Sequence, residues 1–280
     1  MLERFGLDNR ALALACASHS SEPAHVALAA AMLAAAGCTE AQLACGPHVP
    51  FSPPVAAAAT RGEVTLGPCH SNCSGKHAGM LALARAHGWP AEGYERQGHP
   101  VQERILREVL RWTGLPPEGV RFGVDGCTAV SFHLPLAAMA TAYARLASSA
   151  EPAARRVVQA MVAHPDLVAG TGRACTDLLR AGAGRLVAKI GADGVYGAAI
   201  LPQGLGIAVK VESGVMAVVP AALVAVLERL DARWGLGLAA LLADPSVRRH
   251  GSAPITDTRG HEVGTVGAEG ALRFPAPTRR

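Results

Sequence analysis

The 280-residue sequence has few aromatic residues and almost no lysine. Phenylalanine, tryptophan and tyrosine make up 4% of the residues, whereas half are apolar, so the core must consist mainly of small aliphatic side chains. Of the 26 basic residues only Lys76, Lys189 and Lys210 are lysines. Arginine stays charged in proteins, whereas a lysine amine can lose its proton. A lysine retained against this bias therefore suggests a neutral amine that acts as a base or as a metal ligand.

Several classes of protein are disfavoured by what the sequence lacks. The net charge of +4 is spread over scattered arginines without a basic run, so we expect no nucleic-acid partner. Met1–Arg10 has no signal-peptide pattern, and no uninterrupted apolar run is long enough to span a bilayer; we expect a cytoplasmic protein without a membrane partner. The seven cysteines are odd in number and irregularly spaced, which favours free thiols or metal ligands over a disulfide framework.

The order of the apolar patterns predicts a single α+β domain over residues 1–280, with helices first and an antiparallel meander later. Helices are predicted over Ala24–Ala36, after Lys76, and over Val101–Thr113, Pro135–Ser148, Ala153–Val162 and Val215–Leu230, the last interrupted by Pro220. Strands are predicted over Val120–Val124, Leu186–Ile190, Val195–Ile200 and Gly206–Ser213, and near Glu262–Val266. Thr39–Gln42 has the pattern of a capping box for a short helix ending near Gly46, and Pro47–Pro54 that of a loop.

One short stretch, Asn72–Met80, places potential metal ligands close together. Cys73 and Lys76 stand in a C-x-x-K spacing, and His77 follows directly. The commoner explanation for such a stretch is a helix N-terminus with a buried cysteine and a solvated lysine, and the local motif alone favours that explanation. A zinc site is the functional alternative, although C-x-x-K by itself is a weak zinc signature.

Three further segments concentrate reactive side chains. Ser18–Ser20 follows an apolar run, where serines at a helix terminus are the ordinary alternative, and Asp125–Cys127 forms a tight turn after a predicted strand. Lys189 lies within an otherwise apolar strand, where a lysine is costly unless it has a partner. A serine nucleophile needs a base, and a desolvated lysine can serve as one. The segments together are therefore compatible with a serine–lysine pair beside a zinc ion.

The motifs also resemble those of a known family. The resemblance is carried by Ala15–Val26, Asn72–Met80, His99–Gln102, Asp125–Cys127, Gly172–Asp177, Lys189–Tyr196 and Glu212–Gly214, and therefore covers most of the chain. In this order these segments are similar to the asparaginase II family, the rhizobial-type or class 3 L-asparaginases.

The resemblance implies a fold, an activity and a set of site residues. The fold would be similar to serine β-lactamases and glutaminases, with an antiparallel sheet and a helical region. The activity would be hydrolysis of L-asparagine to L-aspartate and ammonia, by a homodimer. By position, the family's site residues correspond to Ser18 and Lys189 as a serine–lysine pair, Cys73, Lys76 and Cys127 as zinc ligands, and Asp125, His77 and Cys175 as residues that line the substrate pocket.

One part of the family pattern is missing. The family carries a second serine–lysine pair in an S-x-x-K motif, upstream of the segment with which this sequence opens. The residues three positions before Lys76, Lys189 and Lys210 are Cys73, Leu186 and Ile207, so no replacement is present. We therefore expect an N-terminally shortened chain without the family's first strands, caused by a misplaced start codon or by natural truncation. The alternative to an active asparaginase is a catalytically impaired protein that binds zinc or an amino acid.

Overall fold

The computed structural model describes residues 2–273, which form two compact units. One unit contains residues 2–190 and 197–208, and the other contains residues 191–196 and 209–273. Within the described residues, no helix is both long enough and apolar enough to cross a membrane. The elements are helices and small sheets, which confirms the predicted α+β class.

The first unit is mainly helical. Its helices are α1 (Asn9–Ala15), α2 (Pro23–Ala35), α3 (Pro53–Thr60), α4 (Ser74–His87), α5 (Pro100–Thr113), α6 (Leu136–Ser148), α7 (Pro152–Ala163), α8 (Pro165–Val168) and α9 (Ala174–Ala181). Short 3₁₀ helices lie at Glu3–Phe5, Glu40–Gln42, Pro68–His70 and Pro117–Gly119. Helix α1 packs against α2, α4 and α7, and fully buried aliphatic side chains such as Leu14, Leu33 and Leu81 fill the space between them.

Glycine allows α1 and α4 to approach each other closely. A β-carbon added at Gly75 would lie 2.4 Å from the carbonyl oxygen of Leu14 and 2.5 Å from its Cγ atom. Any larger residue at this position would collide with the backbone of α1. This contact brings the start of α4 against the end of α1, so that the segments Ser18–Ser20 and Asn72–Met80 become neighbours.

The strands form three small sheets. Strands β1 (Arg121–Val124) and β2 (Val130–His133) are an antiparallel pair, and β3 (Leu186–Ile190), β4 (Val195–Ile200) and β5 (Leu205–Lys210) follow one another in a three-stranded sheet. The N–H of Leu201, just after β4, donates to the carbonyl of Arg185, just before β3, as expected for antiparallel neighbours. A β-carbon at Gly206 would lie 1.9 Å from the carbonyl oxygen of Ala140, so glycine lets α6 pack directly on β5.

The second unit contains the C-terminal elements. These are a 3₁₀ helix at Met216–Val218, helices α10 (Val219–Trp234), α11 (Ala239–Ala243) and α12 (Pro245–Gly251), and the antiparallel strands β6 (Ser252–Thr256) and β7 (Glu262–Gly267). Helix α10 packs against α11 and α12. Pro220 lies in the first turn of α10, where its missing N–H would have no helical partner. The predicted helix Val215–Leu230 is therefore divided close to Pro220, into the 3₁₀ helix and α10, and α10 extends to Trp234.

Most predicted elements are confirmed with small changes at their ends. The strands Leu186–Ile190 and Val195–Ile200 have the predicted bounds, whereas the third strand ends at Lys210 instead of Ser213. The capping box at Thr39 is present, but its 3₁₀ helix ends at Gln42. The predicted loop Pro47–Pro54 is wrong at its end, because the two prolines begin α3 and the alanines that follow are strong helix formers.

Candidate active site

Backbone hydrogen bonds fix the segment that carries Ser18. This residue follows α1, and its N–H donates to the carbonyl of Val168 at 3.1 Å. The N–H of His19 donates to the carbonyl of Asn72 at 3.0 Å, immediately before Cys73. The segment therefore lies between α8 and the start of α4, and the Ser18 hydroxyl is held by contacts that the local sequence does not reveal.

Lys189 reaches this hydroxyl from strand β3. Its Nζ atom lies 2.9 Å from Ser18 Oγ, and it also donates to the carbonyl of Ile190. Burial lowers the pKa of Lys189, and the nearby Arg173 guanidinium acts in the same direction, against the opposing influence of Cys175. A lysine with a lowered pKa is more often neutral and can accept a proton from the hydroxyl. The predicted serine–lysine pair is thus brought into hydrogen-bond contact.

Cys175 lies behind this lysine. It is on α9, is 1% exposed, and its Sγ atom accepts a hydrogen bond of 3.2 Å from the N–H of Ile190. The contact joins α9 to the end of β3 at the residue next to Lys189. The structure therefore places Cys175 beside the serine–lysine pair, as a support for the strand.

A second cluster contains two thiols, an amine and a carboxylate. Lys76 Nζ lies 3.2 Å from Cys127 Sγ and 3.4 Å from Asp125 Oδ2, and Cys127 Sγ lies 3.2 Å from the same carboxylate oxygen. Cys73, at the N-terminus of α4, offers a third ligand atom, and the atoms of Cys73, Asp125 and Cys127 all lie within 4.8 Å of one another. The alternative interpretation is confirmed in part: Cys73 is a buried cysteine at a helix N-terminus, but the Lys76 side chain is only 34% exposed and its amine contacts this cluster.

Charge in this cluster is unevenly distributed. The hydrogen bond from Cys127 lowers the pKa of Cys73 to about 7, and the Lys76 ammonium acts in the same direction against burial. The same hydrogen bond, together with burial, raises the pKa of Cys127 to about 12. Burial disfavours the charge on Lys76, but the two thiols and Asp125 outweigh it and raise its pKa. The cluster therefore favours a thiolate on Cys73 and an ammonium on Lys76.

His77 is buried beside the cluster, and one of its ring nitrogens lacks a hydrogen bond. Nδ1 lies 2.6 Å from the hydroxyl of Tyr94, which itself accepts from the N–H of Ala44. Nε2 has no hydrogen-bond partner among the described residues. The ring nevertheless lies close to Cys127. Cys73 and burial raise the pKa of the Cys127 thiol, and His77 lowers it. An orphaned buried nitrogen at this place is compatible with a role toward a metal or its thiolate ligands.

The two clusters are close enough to interact electrostatically. The pKa of the Cys73 thiol is lowered mainly by the hydrogen bond from Cys127. The Lys189 ammonium lowers it as well. The His19–Asn72 backbone bond joins the same two segments. All the predicted site residues belong to the first unit, and the structure groups them into a serine–lysine pair and an adjoining thiol cluster.

Two residues beside the clusters, Arg173 and His19, were not predicted as site residues from the sequence. Arg173 Nη1 donates to Ser20 Oγ at 3.1 Å. The His19 Nδ1 atom accepts from the N–H of Ser21 at 3.2 Å, so its Nε2 atom carries the proton and donates to Ser74 Oγ at 2.9 Å. Burial lowers the pKa of His19 to about 3, so this ring is neutral and bridges the two segments. The only sequence signal for Arg173 was its position within the family-like segment Gly172–Asp177.

A cavity lies elsewhere in the first unit. It has a volume of about 540 Å³, and its walls come from α5, α6 and α7, including Trp112, Tyr143 and Val157. None of the predicted site residues lines it. Reactive side chains, and not cavity size, therefore identify the candidate site.

The donor set of the thiol cluster fits a zinc ion. Two thiols and a carboxylate whose ligand atoms lie within 4.8 Å of one another are ligand types that zinc accepts in proteins. The Lys76 amine lies 3.2 Å from one of the thiols and could join them only after losing its proton. The Asp125 carboxylate joins the predicted ligands Cys73, Lys76 and Cys127 in this set. The Lys76 ammonium already occupies this ring of thiols and carboxylate, which shows that the surroundings stabilise positive charge.

Comparison with known proteins identifies the family. A search of the curated proteins finds no match. The family model for L-asparaginase II matches residues 1–268, nearly the whole chain. The match includes both clusters and agrees with the resemblance carried by the sequence motifs. The chain therefore belongs to the L-asparaginase II family.

Proposed function

We propose that the protein is an L-asparaginase that hydrolyses L-asparagine to L-aspartate and ammonia through Ser18 and Lys189. The observation that carries the proposal is the 2.9 Å contact between Lys189 Nζ and Ser18 Oγ, formed by a lysine whose pKa is lowered by burial. Membership of the L-asparaginase II family supports an amidohydrolase reaction. It also supports the predicted fold similar to serine β-lactamases and glutaminases, and the predicted homodimer.

The reaction would run through a covalent intermediate. Neutral Lys189 takes the proton of the Ser18 hydroxyl while Oγ attacks the side-chain amide carbon of asparagine. The carbon–nitrogen bond then breaks, and the amide nitrogen leaves as ammonia with the proton returned by Lys189. Water, deprotonated by the same amine, hydrolyses the aspartyl ester and restores the Ser18 hydroxyl. A single amine thus serves as base and acid in both halves of the reaction.

The thiol cluster would hold a zinc ion next to this pair. Cys73, Lys76 and Cys127 are the proposed ligands, with Lys76 bound as the neutral amine after the metal displaces its proton, and Asp125 contributes either to the metal or to the substrate. A bound zinc ion would supply fixed positive charge for the polar groups of the substrate. His77 and Cys175 would line the site. His77 lies close to the Cys127 thiol, and Cys175 binds the N–H of Ile190, next to Lys189.

Ammonia release tests the catalytic pair. The purified chain, supplied with zinc and L-asparagine, should release ammonia, and Ser18→Ala and Lys189→Met should each reduce the rate by roughly 10⁴-fold, as in other serine hydrolases. Matched controls are the exposed residues Ser148 and Lys210, whose substitutions Ser148→Ala and Lys210→Met should leave the rate unchanged. Equal rates for Ser18→Ala and the wild type would reject Ser18 as the nucleophile. No release, with zinc still bound, would favour the non-catalytic alternative.

Metal analysis tests the thiol cluster independently. The purified protein should contain about one zinc ion per chain, because a stable site needs about four donors and the thiol cluster provides enough for one ion. Cys73→Ser and Cys127→Ser should each remove most of this metal. Cys38 is a suitable control, because it is buried in the core and its thiol interacts with the carbonyl of Ala36 and the side chain of Arg85, neither of which belongs to the thiol cluster, so Cys38→Ser should keep the metal. Unchanged zinc content in the first two variants would exclude the proposed ligands.

A further inference from the structure

Arg173 places a positive charge beside the serine–lysine pair. It precedes α9, and its guanidinium donates one hydrogen bond of 3.1 Å, to Ser20 Oγ. The same guanidinium lies over the ring of Phe51, 4.8 Å from the ring centroid. The aromatic face orients the planar group and leaves its remaining N–H donors available.

This charge has no carboxylate partner among residues 2–273. Glu22, the acidic residue on the same segment as Ser20, instead accepts from Thr171, at 2.7 Å from the N–H and 3.2 Å from the hydroxyl. The neighbouring Arg180, on the same helix, is paired with Asp166 at 2.5 Å. A half-buried guanidinium without an acidic partner has planar donors free to bind an anion, and their geometry matches a carboxylate.

The Arg173 guanidinium lies close to three other basic side chains. Burial lowers the pKa of Lys189, His19 and His25, and the Arg173 guanidinium lowers each of them further, so it lies within electrostatic range of all three. Both histidines are buried, and the carboxylates of Glu22 and Asp166 act on His25 from the other side. These two carboxylates are already engaged by Thr171 and Arg180, so the Arg173 guanidinium keeps donors for an anionic group of a ligand.

The fold also holds Arg173 at a fixed position relative to the reacting atoms. Ser20, its hydrogen-bond partner, lies two residues after Ser18 on the same segment. Cys175, two residues after Arg173, binds the N–H of Ile190 at 3.2 Å, next to Lys189. Both ends of the serine–lysine pair are thus tied to the residue that carries the unpaired charge.

We propose that Arg173 binds the α-carboxylate of a free amino-acid amide and thereby determines that the enzyme acts on the free amino acid. The inference rests on the proposed amidohydrolase function and adds a specificity residue to it. A peptide-bound or esterified asparagine lacks this carboxylate and would lose the contact. Hydrogen bonds to charged groups contribute enough for at least a roughly tenfold preference.

Two substrates that differ only in this charge test the proposal. We would measure kcat/KM for ammonia release from L-asparagine and from its α-methyl ester, with the wild type, Arg173→Gln and the control Arg180→Gln. In Arg173→Gln, kcat/KM for L-asparagine should fall at least roughly tenfold, while the value for the ester changes little. Arg180→Gln should leave both values unchanged. A parallel fall for both substrates in Arg173→Gln would mean a structural role and overturn the proposal.

Binding measurements separate this inference from the proposed function. If the wild type releases no ammonia from either substrate, the proposed function fails, and calorimetry with L-aspartate decides the inference. Weaker binding by at least roughly tenfold in Arg173→Gln would support it, whereas equal binding, or no binding by the wild type, would overturn it. If Arg173→Gln does not fold, Arg173→Lys takes its place. That variant keeps the charge but loses the planar set of N–H donors. It should weaken the binding only of the ligand that carries the α-carboxylate.

Discussion

The amine of Lys189 lies 2.9 Å from the hydroxyl of Ser18, although 171 residues separate them in the chain. The lysine comes from the first strand of the three-stranded sheet, and the serine follows the first helix. Burial lowers the pKa of the amine, and the hydroxyl is its only side-chain hydrogen-bond partner within the described residues. The fold therefore holds a desolvated amine against a hydroxyl group that comes from a distant segment of the chain.

The rate of asparagine hydrolysis should depend on the protonation of Lys189. Only the neutral amine can take the serine proton, so kcat/KM should rise with pH and level off above the lysine pKa. Because burial lowers that pKa, the midpoint should lie below about 10.4, the value of an unperturbed lysine. A pH–rate profile at constant ionic strength measures it. A midpoint at or above the unperturbed value would contradict the role of a buried lysine base.

The same lysine should make stability depend on pH. Its pKa is lower in the folded state than in the unfolded state, so between the two values the unfolded chain binds more protons. The free energy of unfolding should therefore rise with pH through this window, and it should decrease as the pH falls toward the folded pKa. In Lys189→Met this contribution disappears. Denaturant titrations of the wild type and the variant between pH 7 and about pH 10.4 compare the two slopes, and identical slopes would contradict the prediction.

The Cys73 thiol should ionise near neutral pH in metal-free protein. The hydrogen bond from Cys127 and the Lys76 ammonium lower its pKa to about 7. Thiolate absorbance in the ultraviolet should therefore increase with a midpoint near pH 7, and Cys73→Ser should abolish this transition. Cys127→Ala should move the midpoint upward because the donor is lost, and Lys76→Met should act in the same direction. A transition that persists in Cys73→Ser would assign the low pKa to another thiol.

Gly75→Ala should destabilise the first unit. Alanine normally stabilises a helix by up to about 1 kcal/mol relative to glycine. Here the added β-carbon would lie 2.4 Å from the Leu14 carbonyl oxygen, and overpacking of this kind typically costs about 1–3 kcal/mol.

The control for this prediction is Gly46→Ala. Gly46 has an ordinary backbone conformation and nothing within 4 Å of an added β-carbon, so the free energy of unfolding should hardly change. Thermal or denaturant unfolding of both variants gives the comparison. Stabilisation by Gly75→Ala, as helix propensity alone predicts, would show that α1 and α4 are not in close contact.

Local residue chemistry was sufficient to predict much of the fold. The apolar residues of Leu186–Ile190 and Val195–Ile200, separated by a glycine-containing turn, predicted two strands with their observed bounds. The pattern of Val101–Thr113 predicted α5 within one residue. The strand Val130–His133 was missed, because only its pairing with β1 distinguishes such a short segment from a loop.

The sequence by itself determined which reactive side chains the protein has. They are Ser18 after an apolar run, the C-x-x-K motif, Cys127 two residues after Asp125, and Lys189 in an apolar strand. Only the tertiary structure decided which of them meet. The contact between α1 and α4, made possible by Gly75, and the hydrogen bond between His19 and Asn72 bring these segments together. Tertiary structure alone also left Arg173 without an acidic partner within residues 2–273, because pairing depends on distances between segments far apart in the chain, and no local pattern encodes those distances.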